Sequence, residues 1–480
     1  MAGVSMQGRV LTAVVLACAG SAHAVSVNPN GLGQVLLFPY YTVNQHDTLF
    51  SIANDGDVGK VVKVRFREGL NSRTAFEVFV FLAPHDTWVA GVGADAATGG
   101  AALTTSDHSC TLPALTPAQA FSTSGFTGDF ADGGPTDASR TREGWIEVIA
   151  AGDIVPGSPT DYAVTPIQGG TPGDGVPDGC AHLSLTGIVD DLIAPFASLY
   201  GSGVVIDVPQ GTFYGYAPTA ISGFTQLPLL TRTSSADAPN LDQATSIDSA
   251  LAARAHVVLG SGDAFDVDFG RGVDAVSAVL MKDTLSNDYL ADPLLGASTD
   301  WVVTFPTRAF YVDERLDPHA PGAPFEEPAH DGLSIANVPA TSFDRAGFAP
   351  GSGCEAPACV PPLLQLARTV NVLAFVDPAA PDPSESGALN SAFPVRVDGL
   401  PSNAGRTDLV LGSVALTNHL LTTGVSAAHE PVTLFGLPAI GFMVYNIINT
   451  QAGPGLLANY GGAFAHRGQA GCAGAQAPCR

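Results

Sequence analysis

Positive charge is scarce in this sequence. It has 20 Lys and Arg against 45 Asp and Glu, which gives a formal net charge of −25 at pH 7. A field of that sign repels nucleic-acid phosphates and anionic lipid headgroups, so we expect no binding to nucleic acid. Glu is also scarce, with only 10 of the 45 acidic residues. Because Glu favours helices whereas Asp favours turns and loops, this imbalance predicts few helices and many loops.

Long apolar runs are missing as well. No segment reaches the roughly 18 uninterrupted apolar residues that a membrane-spanning helix needs, so we expect no transmembrane span. The N-terminus carries Arg9, an apolar stretch over residues 10–20 and the small-residue sequence AHA that ends at Ala24. This order is typical of a secretory signal peptide over residues 1–24, which predicts export to the periplasm, the cell surface or the medium. In an alternative interpretation the sequence VLAC is a lipoprotein box, acylated at Cys18.

Cysteine is the next scarce residue. Signal-peptide cleavage would leave six of the seven cysteines, and an even number in an exported chain predicts disulfides. Proximity in the sequence favours the pairs Cys354–Cys359 and Cys472–Cys479, which leaves Cys110 with Cys180. No Cys-x-x-Cys motif occurs, so a zinc site is not favoured.

Apolar residues and turn formers are both abundant. Apolar residues make up 46% of the chain, enough for a large core, and 54 Gly and 36 Pro indicate many turns. In residues 60–68 apolar and basic side chains alternate, and a second alternating stretch follows after the turn at residues 69–73. This period of two predicts an antiparallel hairpin.

The opening stretch, residues 31–55, suggests another hairpin. We expect a first strand with Pro39 at a sheet edge or a bulge, a turn at residues 44–47 and a returning strand. Further strands are expected along the chain, including residues 273–281 and a strand over residues 301–311. Short helices are expected only near Thr116 and over residues 246–255.

These patterns together predict an all-β protein. We expect one or two antiparallel β-sandwich domains of immunoglobulin-like character, with long Gly-, Pro- and Asp-rich loops. A polar stretch at residues 233–246 divides the chain into an N-terminal domain, residues 25–235, and a C-terminal β-rich domain, residues 236–480.

Several segments carry a family resemblance: NPNGLGQVLLFPYYTV, TLFSIAND, KVRFREGLNSR, TDWVVTFPTRAFYVD and ANYGGAFAHR. Along nearly the whole mature chain, the sequence resembles a family of exported proteobacterial proteins that share an N-terminal segment of the NPxGxGQVLLFPYYTV type. The resemblance implies export. It implies no activity, ligand or catalytic residue.

Three His-Asp pairs and one basic cluster are candidate sites. The pairs begin at His46, His85 and His330, and we interpret them as turn residues, because neighbours on a strand point to opposite faces and Asp bonds turn amides. The basic cluster comprises five side chains that we expect on a solvated face, with docking of an acidic patch or an anionic glycan as the alternative. Its members are Lys60, Lys63, Arg65, Arg67 and Arg73.

Calcium is the most specific ligand that the sequence suggests. Asp174 and Asp178 lie among glycines in a loop, and Asp263, Asp266 and Asp268 lie close together in a strand-like segment. Calcium takes six to eight oxygen ligands, which neither segment supplies alone. We therefore expect calcium only if these segments gain further oxygens in the fold.

No motif for a nucleophile, a phosphate loop or a dinucleotide is present, so no catalytic residue is predicted. The sequence favours an exported non-enzymatic structural, adhesive or binding protein. Its partner would be a second copy, a surface glycan or a surface protein. The alternative is a secreted hydrolase that acts on a polymer such as a polysaccharide.

Overall fold

The structure is a computed structural model. It describes the following residues: 24–166, 175–235, 237–349, 362–376, 386–413, 420–426, 430–449, 453–456, 458–474 and 477–479. Within these ranges, no helix has both the length and the apolar character needed to cross a bilayer.

The described residues form 31 strands, which agrees with the predicted all-β class. In chain order they are β1 (Ser26–Val27), β2 (Val35–Thr42), β3 (Asp47–Asn54), β4 (Lys60–Glu68), β5 (Thr74–Leu82), β6 (Thr87–Ala94), β7 (Ala101–Thr104), β8 (Cys110–Leu112), β9 (Ala118–Ala120), β10 (Glu143–Ile154), β11 (Leu192–Ile193), β12 (Leu199–Asp207), β13 (Thr212–Tyr216), β14 (Thr219–Ser222), β15 (Ala253–Val258), β16 (Ala264–Phe269), β17 (Met281–Lys282), β18 (Thr284–Leu290), β19 (Ala297–Thr304), β20 (Ala336–Asp344), β21 (Leu363–Leu366), β22 (Val370–Phe375), β23 (Val395–Val397), β24 (Ala404–Val410), β25 (Leu420–Ser426), β26 (Pro431–Phe435), β27 (Leu437–Pro438), β28 (Ile440–Ile447), β29 (Tyr460–Ala465), β30 (Arg467–Gln469) and β31 (Gly471–Gly474).

Helices are few and short in the described residues. The α-helices are α1 (Pro159–Val164), α2 (Gly272–Leu280) and α3 (Ala309–Val312), and the 3₁₀ helices are Ser124–Phe126, Gly128–Phe130, Ala138–Arg142, Cys180–His182, Val189–Asp191 and Leu241–Gln243.

Two sheets contain the strands of the first half. The first sheet has the order β1-β14-β2-β10-β4-β5-β8, with β11 also paired to β10, and the second has the order β13-β12-β3-β6-β7-β9. Their pairings are antiparallel. Buried side chains from both sheets pack together, for example Phe50 against Phe66 at 5.6 Å between ring centroids. This sandwich-type arrangement confirms the all-β prediction.

Four further sheets contain the strands of the second half: β15-β16-β25-β26-β31, β17-β27, β21-β20-β24-β18-β30 and β23-β22-β19-β28-β29. Here β22 and β23 run parallel, whereas the other pairs described are antiparallel.

The predicted hairpin at residues 31–55 is wrong. Strand β2 lies inside the first sheet, whereas β3 lies in the second sheet, so the turn between them crosses from one layer to the other. The predicted edge position of Pro39 is also wrong, but the bulge is confirmed, because the β2–β10 register shifts opposite Trp145. Every residue of β2 is buried, since β12 covers one side of the strand and β19 and β28 of the second half also contact it.

The predicted solvated face of β4 is wrong in the same way. All nine residues of β4 are buried. The polar stretch at residues 237–244 packs over the basic side chains, and Lys63 and Arg65 donate hydrogen bonds to the carbonyls of Ala238 and Asp237. A period of two identifies the two faces of a strand, but it does not show whether another segment covers the polar face.

Both predicted helices are wrong, and the main helix is one that the sequence does not predict. Gln119 lies in β9, and residues 253–255 begin β15, so pairing with β7 and β16 overrides the local helix signals. Helix α2 lies within residues 273–281, which we predicted as a strand. Its side chains are buried on nearly every side, so no polar face marks the helical period. The strand expected over 301–311 ends at Thr304, before Pro306.

The cysteine predictions are confirmed where the structure describes them. Cys110 bonds to Cys180 and Cys472 bonds to Cys479. Cys354 and Cys359 lie outside the described residues.

One continuous cluster of buried apolar side chains extends from the first half into the second. Tyr216 stacks on Phe442 at 4.7 Å between ring centroids. The hydroxyl of Thr304 donates to the Pro39 carbonyl at 2.7 Å. The proposed boundary at residue 235 thus separates the strands of different sheets, but the core continues across it.

Candidate binding cleft between the two halves

A cleft of about 680 Å³ lies where the two halves meet. The turn between β4 and β5 and the segment before β10 form one wall, and loops of the second half form the other. The lining residues are Asn44, Gly69, Leu70, Gly133, Gly134, Pro135, Thr136, Ser139, Arg140, Arg142, Glu143, Asp331, Leu333, Arg368, Val370, Ala392 and Phe393. Its size is in the range of sites for small molecules.

Two glycines let the walls approach each other. A Cβ at Gly133 would lie 2.7 Å from a carboxylate oxygen of Asp331, and a Cβ at Gly134 would lie 2.8 Å from the carbonyl oxygen of Asp331. Gly133 also has φ +81°, which an L side chain rarely adopts. Any side chain at these positions would push the two walls apart.

Glu143 connects the second half of the chain to the first through hydrogen bonds. Its carboxylate accepts hydrogen bonds from the Asn44 side-chain amide, the backbone N–H of Ala392 at 3.1 Å and the Ser391 hydroxyl at 2.9 Å. Burial raises the pKa of Glu143 above its ordinary value, and these hydrogen bonds lower it. Since both carboxylate oxygens are engaged, Glu143 positions the loop that carries Phe393.

Arg140 is fully neutralised by acidic neighbours. It binds Asp132 at 2.6 Å and Glu68 at 3.0 Å. The carboxylate of Glu68 also accepts the backbone N–H groups of Leu70, Asn71 and Arg73, which fixes the turn between β4 and β5. Arg140 therefore organises the wall of the cleft.

Two other arginines of the cleft form no ion pair with the acids that the structure describes. Arg142 donates to the Asn44 side-chain carbonyl at 2.7 Å, to the Val43 carbonyl at 3.2 Å and to the Gly99 carbonyl at 3.4 Å, all neutral acceptors. Arg368 lies over the Phe393 ring, with 3.8 Å between its central carbon and the ring centroid. Within the described ranges, neither guanidinium forms an ion pair with a carboxylate closer than 4.0 Å. Both side chains line the cleft. Burial lowers the pKa of Arg368, and the charges of Glu143 and Glu68 raise it, so these acids offset its charge in part without forming an ion pair.

A further arginine interacts with Arg368. Arg308 is completely buried and donates to the Ala367 carbonyl at 2.6 Å, but among the described residues its Nε and Nη1 have no hydrogen-bond partner. Burial lowers the pKa of Arg308, the charge of Glu68 raises it, and the charge of Arg368 lowers it. Arg308 and Arg368 thus repel each other, and Glu68 offsets part of the charge of Arg308.

The predicted calcium ligands lie in different surroundings. In the sequence, Asp266 and Asp268 alternate with apolar residues, which predicts a solvent-exposed face for both, and this is wrong for Asp268. Asp268 is buried against Arg254 at 2.7 Å, whereas Asp266 lies 2.8 Å from His256. Asp263 accepts a hydrogen bond from Ser261. Asp178 is exposed, and Asp174 lies outside the described residues.

Among the residues that the structure covers, no three His, Cys, Asp or Glu side chains are arranged to hold a metal ion. Calcium binding remains a prediction.

The His-Asp pairs lie at chain corners. His46 ends the turn after β2, and its Nδ1 is 2.7 Å from the Asn44 carbonyl. Asp86 accepts the N–H groups of Ala83 and Thr87. Asp331 has φ +51° at a turn that also lines the cleft. These contacts fit the turn interpretation.

The basic cluster holds no free charge for a partner. Arg65 and Arg67 bind Glu147 at 2.9 and 3.2 Å, and Arg73 binds Asp313 at 2.8 Å. Lys60 pairs with Asp153, and Lys63 pairs with Glu77.

The sequence does not predict the cleft residues Arg142, Glu143, Arg368 and Phe393, because they are far apart along the chain and belong to no motif.

Comparisons with known proteins assign no ligand and no role to the cleft. No protein-family model, curated protein or solved structure matches the chain.

Proposed function

We propose that the protein is an exported, non-enzymatic binding protein, and that the cleft between its two halves is the ligand site. The observation that supports this proposal is a cleft of about 680 Å³ that combines apolar walls with polar side chains. The apolar walls come from Leu70, Leu333, Val370 and Phe393. Sites for small ligands have this composition and this position between structural units.

Export is supported by the signal-peptide pattern at residues 1–24 and by the two disulfides. The resemblance to exported proteobacterial proteins points the same way. A binding role is favoured over hydrolysis, because both oxygens of Glu143 are already engaged in holding the opposite wall.

A fragment screen of the mature chain tests this proposal. Binding is detected by thermal shift and by NMR, with wild type compared with Leu333→Trp, which fills the cleft. The matched control is Leu363→Trp, since Leu363 is 56% exposed and does not line the cleft.

We expect fragments that bind wild type and the control but lose binding to Leu333→Trp. If every fragment binds all three proteins equally, the cleft is not the ligand site. If the wild-type chain releases reducing ends from a panel of polysaccharides, the hydrolase alternative is correct instead.

A further inference from the structure

The cleft places positive charge where the rest of the molecule has little. The chain has a net charge of −25, and its 20 cations are outnumbered more than two to one by acids. Even so, Arg142 and Arg368 line the cleft, and in the described part of the chain neither forms an ion pair with a carboxylate within 4.0 Å. A buried or half-buried charge without a partner is costly, so such a charge is stabilised when a ligand supplies the counter-ion.

The position of Arg368 suits the recognition of an oxyanion. The central carbon of its guanidinium lies 3.8 Å from the centroid of the Phe393 ring. An arginine that packs on an aromatic ring can still present its N–H donors to a ligand. Paired N–H donors match the two oxygens of a carboxylate or a phosphate.

Arg308 gives a second indication that this region lacks a hydrogen-bond acceptor. Its Nε and Nη1 atoms are buried and have no hydrogen-bond partner among the described residues, although each is a strong donor. The charge of Arg308 interacts unfavourably with that of Arg368, and Glu68 offsets part of it. An anion near Arg368 would therefore also offset the charge of Arg308.

We propose that the ligand of this cleft carries an oxyanion group, a carboxylate or a phosphate, which binds Arg368 and Arg142 while an apolar body packs against Leu333, Val370 and Phe393. This inference rests on the proposed binding function and specifies its ligand class.

Three probes of similar size test the inference: phenyl phosphate, phenylacetate and the uncharged phenylacetamide. Binding to the mature chain is measured by titration calorimetry and thermal unfolding at low, matched ionic strength. The variant is Arg368→Gln. The control is Arg232→Gln, which removes the same charge from an exposed pair with Asp190.

We expect at least one anionic probe to bind wild type and Arg232→Gln tightly and Arg368→Gln about ten- to a hundredfold more weakly, the range for a hydrogen bond to a charged group. Whichever anion binds more tightly identifies the carboxylate or the phosphate form. Arg368→Lys should give an intermediate affinity, because Lys keeps the charge without the planar pair of donors.

Two results would overturn the inference. If phenylacetamide binds as tightly as the anions, with a loss in Leu333→Trp, the binding function stands but the ligand is not an anion. If anions stabilise wild type and Arg368→Gln to the same extent, no anion binds at this position. If Arg368→Gln does not fold, Arg142→Gln provides the same comparison.

Discussion

The basic side chains of β4 are held by acids on the neighbouring strand. Glu147 of β10 lies opposite Arg65 in the register and binds both Arg65 and Arg67. All three side chains are almost completely buried. Arg65 and Arg67 thus share one buried carboxylate. The loss of Glu147 would leave both arginines without this partner.

The substitution Glu147→Gln tests this network. We expect it to lower the free energy of unfolding by about 3 to 5 kcal/mol, the cost of breaking a buried ion pair. Glu77→Gln is the matched control, since Glu77 also contacts Arg65 but is 40% exposed and should cost about 1 kcal/mol or less. Urea unfolding measures both values, and equal losses would contradict the role of burial.

Glu143 links the two halves through a group that titrates. Because its pKa is raised in the folded chain, the folded state binds more protons than the unfolded state over the pH range between the two pKa values. The contribution of Glu143 to stability therefore falls as the pH rises from the ordinary value of 4.5 through the raised value.

Glu143→Gln should remove this pH dependence, since its amide oxygen can still accept from Asn44 and Ala392 while its amide nitrogen donates to the Ser391 hydroxyl in place of accepting from it. We expect the stability of wild type relative to the variant to decrease between pH 4 and pH 7, measured by urea unfolding at each pH. A difference that stays constant or increases with pH would show that the pKa of Glu143 is not raised.

At the scale of strands and helices, alternation predicted the β4–β5 hairpin and the all-β class, because a period of two needs only local sequence. The burial of both faces of β2 and β4 depends on segments far along the chain, such as residues 237–244 and β19, which no local pattern shows. For the same reason, no local sequence pattern predicts the cleft. Glu143 and Ala392 meet only because the two halves pack together, and they are separated by more than two hundred residues.

The disulfides differ in the length of chain that they close. Cys110–Cys180 spans 70 positions, and Cys472–Cys479 spans 7. In the chain-entropy model, replacing the first pair by Ser should cost about 4 kcal/mol and replacing the second about 2 kcal/mol. Thermal and urea unfolding of the two double variants measure the costs, and a larger loss for the short loop would contradict this order.

At the scale of the whole molecule, the larger of the two buried apolar clusters in the described residues crosses the boundary suggested by the sequence. The halves share buried side chains, the carbonyl of Gly69 accepts a hydrogen bond from the N–H of Val370 at 2.9 Å, and Val25 accepts one from His256 at 2.8 Å. Strand β2 in particular is covered by strands of the second half. Separating the halves would expose this apolar surface.

We therefore expect the mature chain to unfold in a single cooperative transition. Differential scanning calorimetry should give one peak, with the calorimetric and van't Hoff enthalpies equal. Two resolved transitions, each reproduced by residues 25–235 or residues 236–480 alone, would show that the halves are independent domains.

Arg368 is the residue through which we propose that the cleft between the halves binds its ligand. A crystal structure of the mature chain with phenyl phosphate, at a concentration that gives a saturated signal in solution, tests this role. We predict the phosphate within hydrogen-bonding distance of the Arg368 guanidinium and the phenyl ring against Phe393 or Leu333. A ligand bound elsewhere, with the cleft empty, would show that the cleft is not the ligand site.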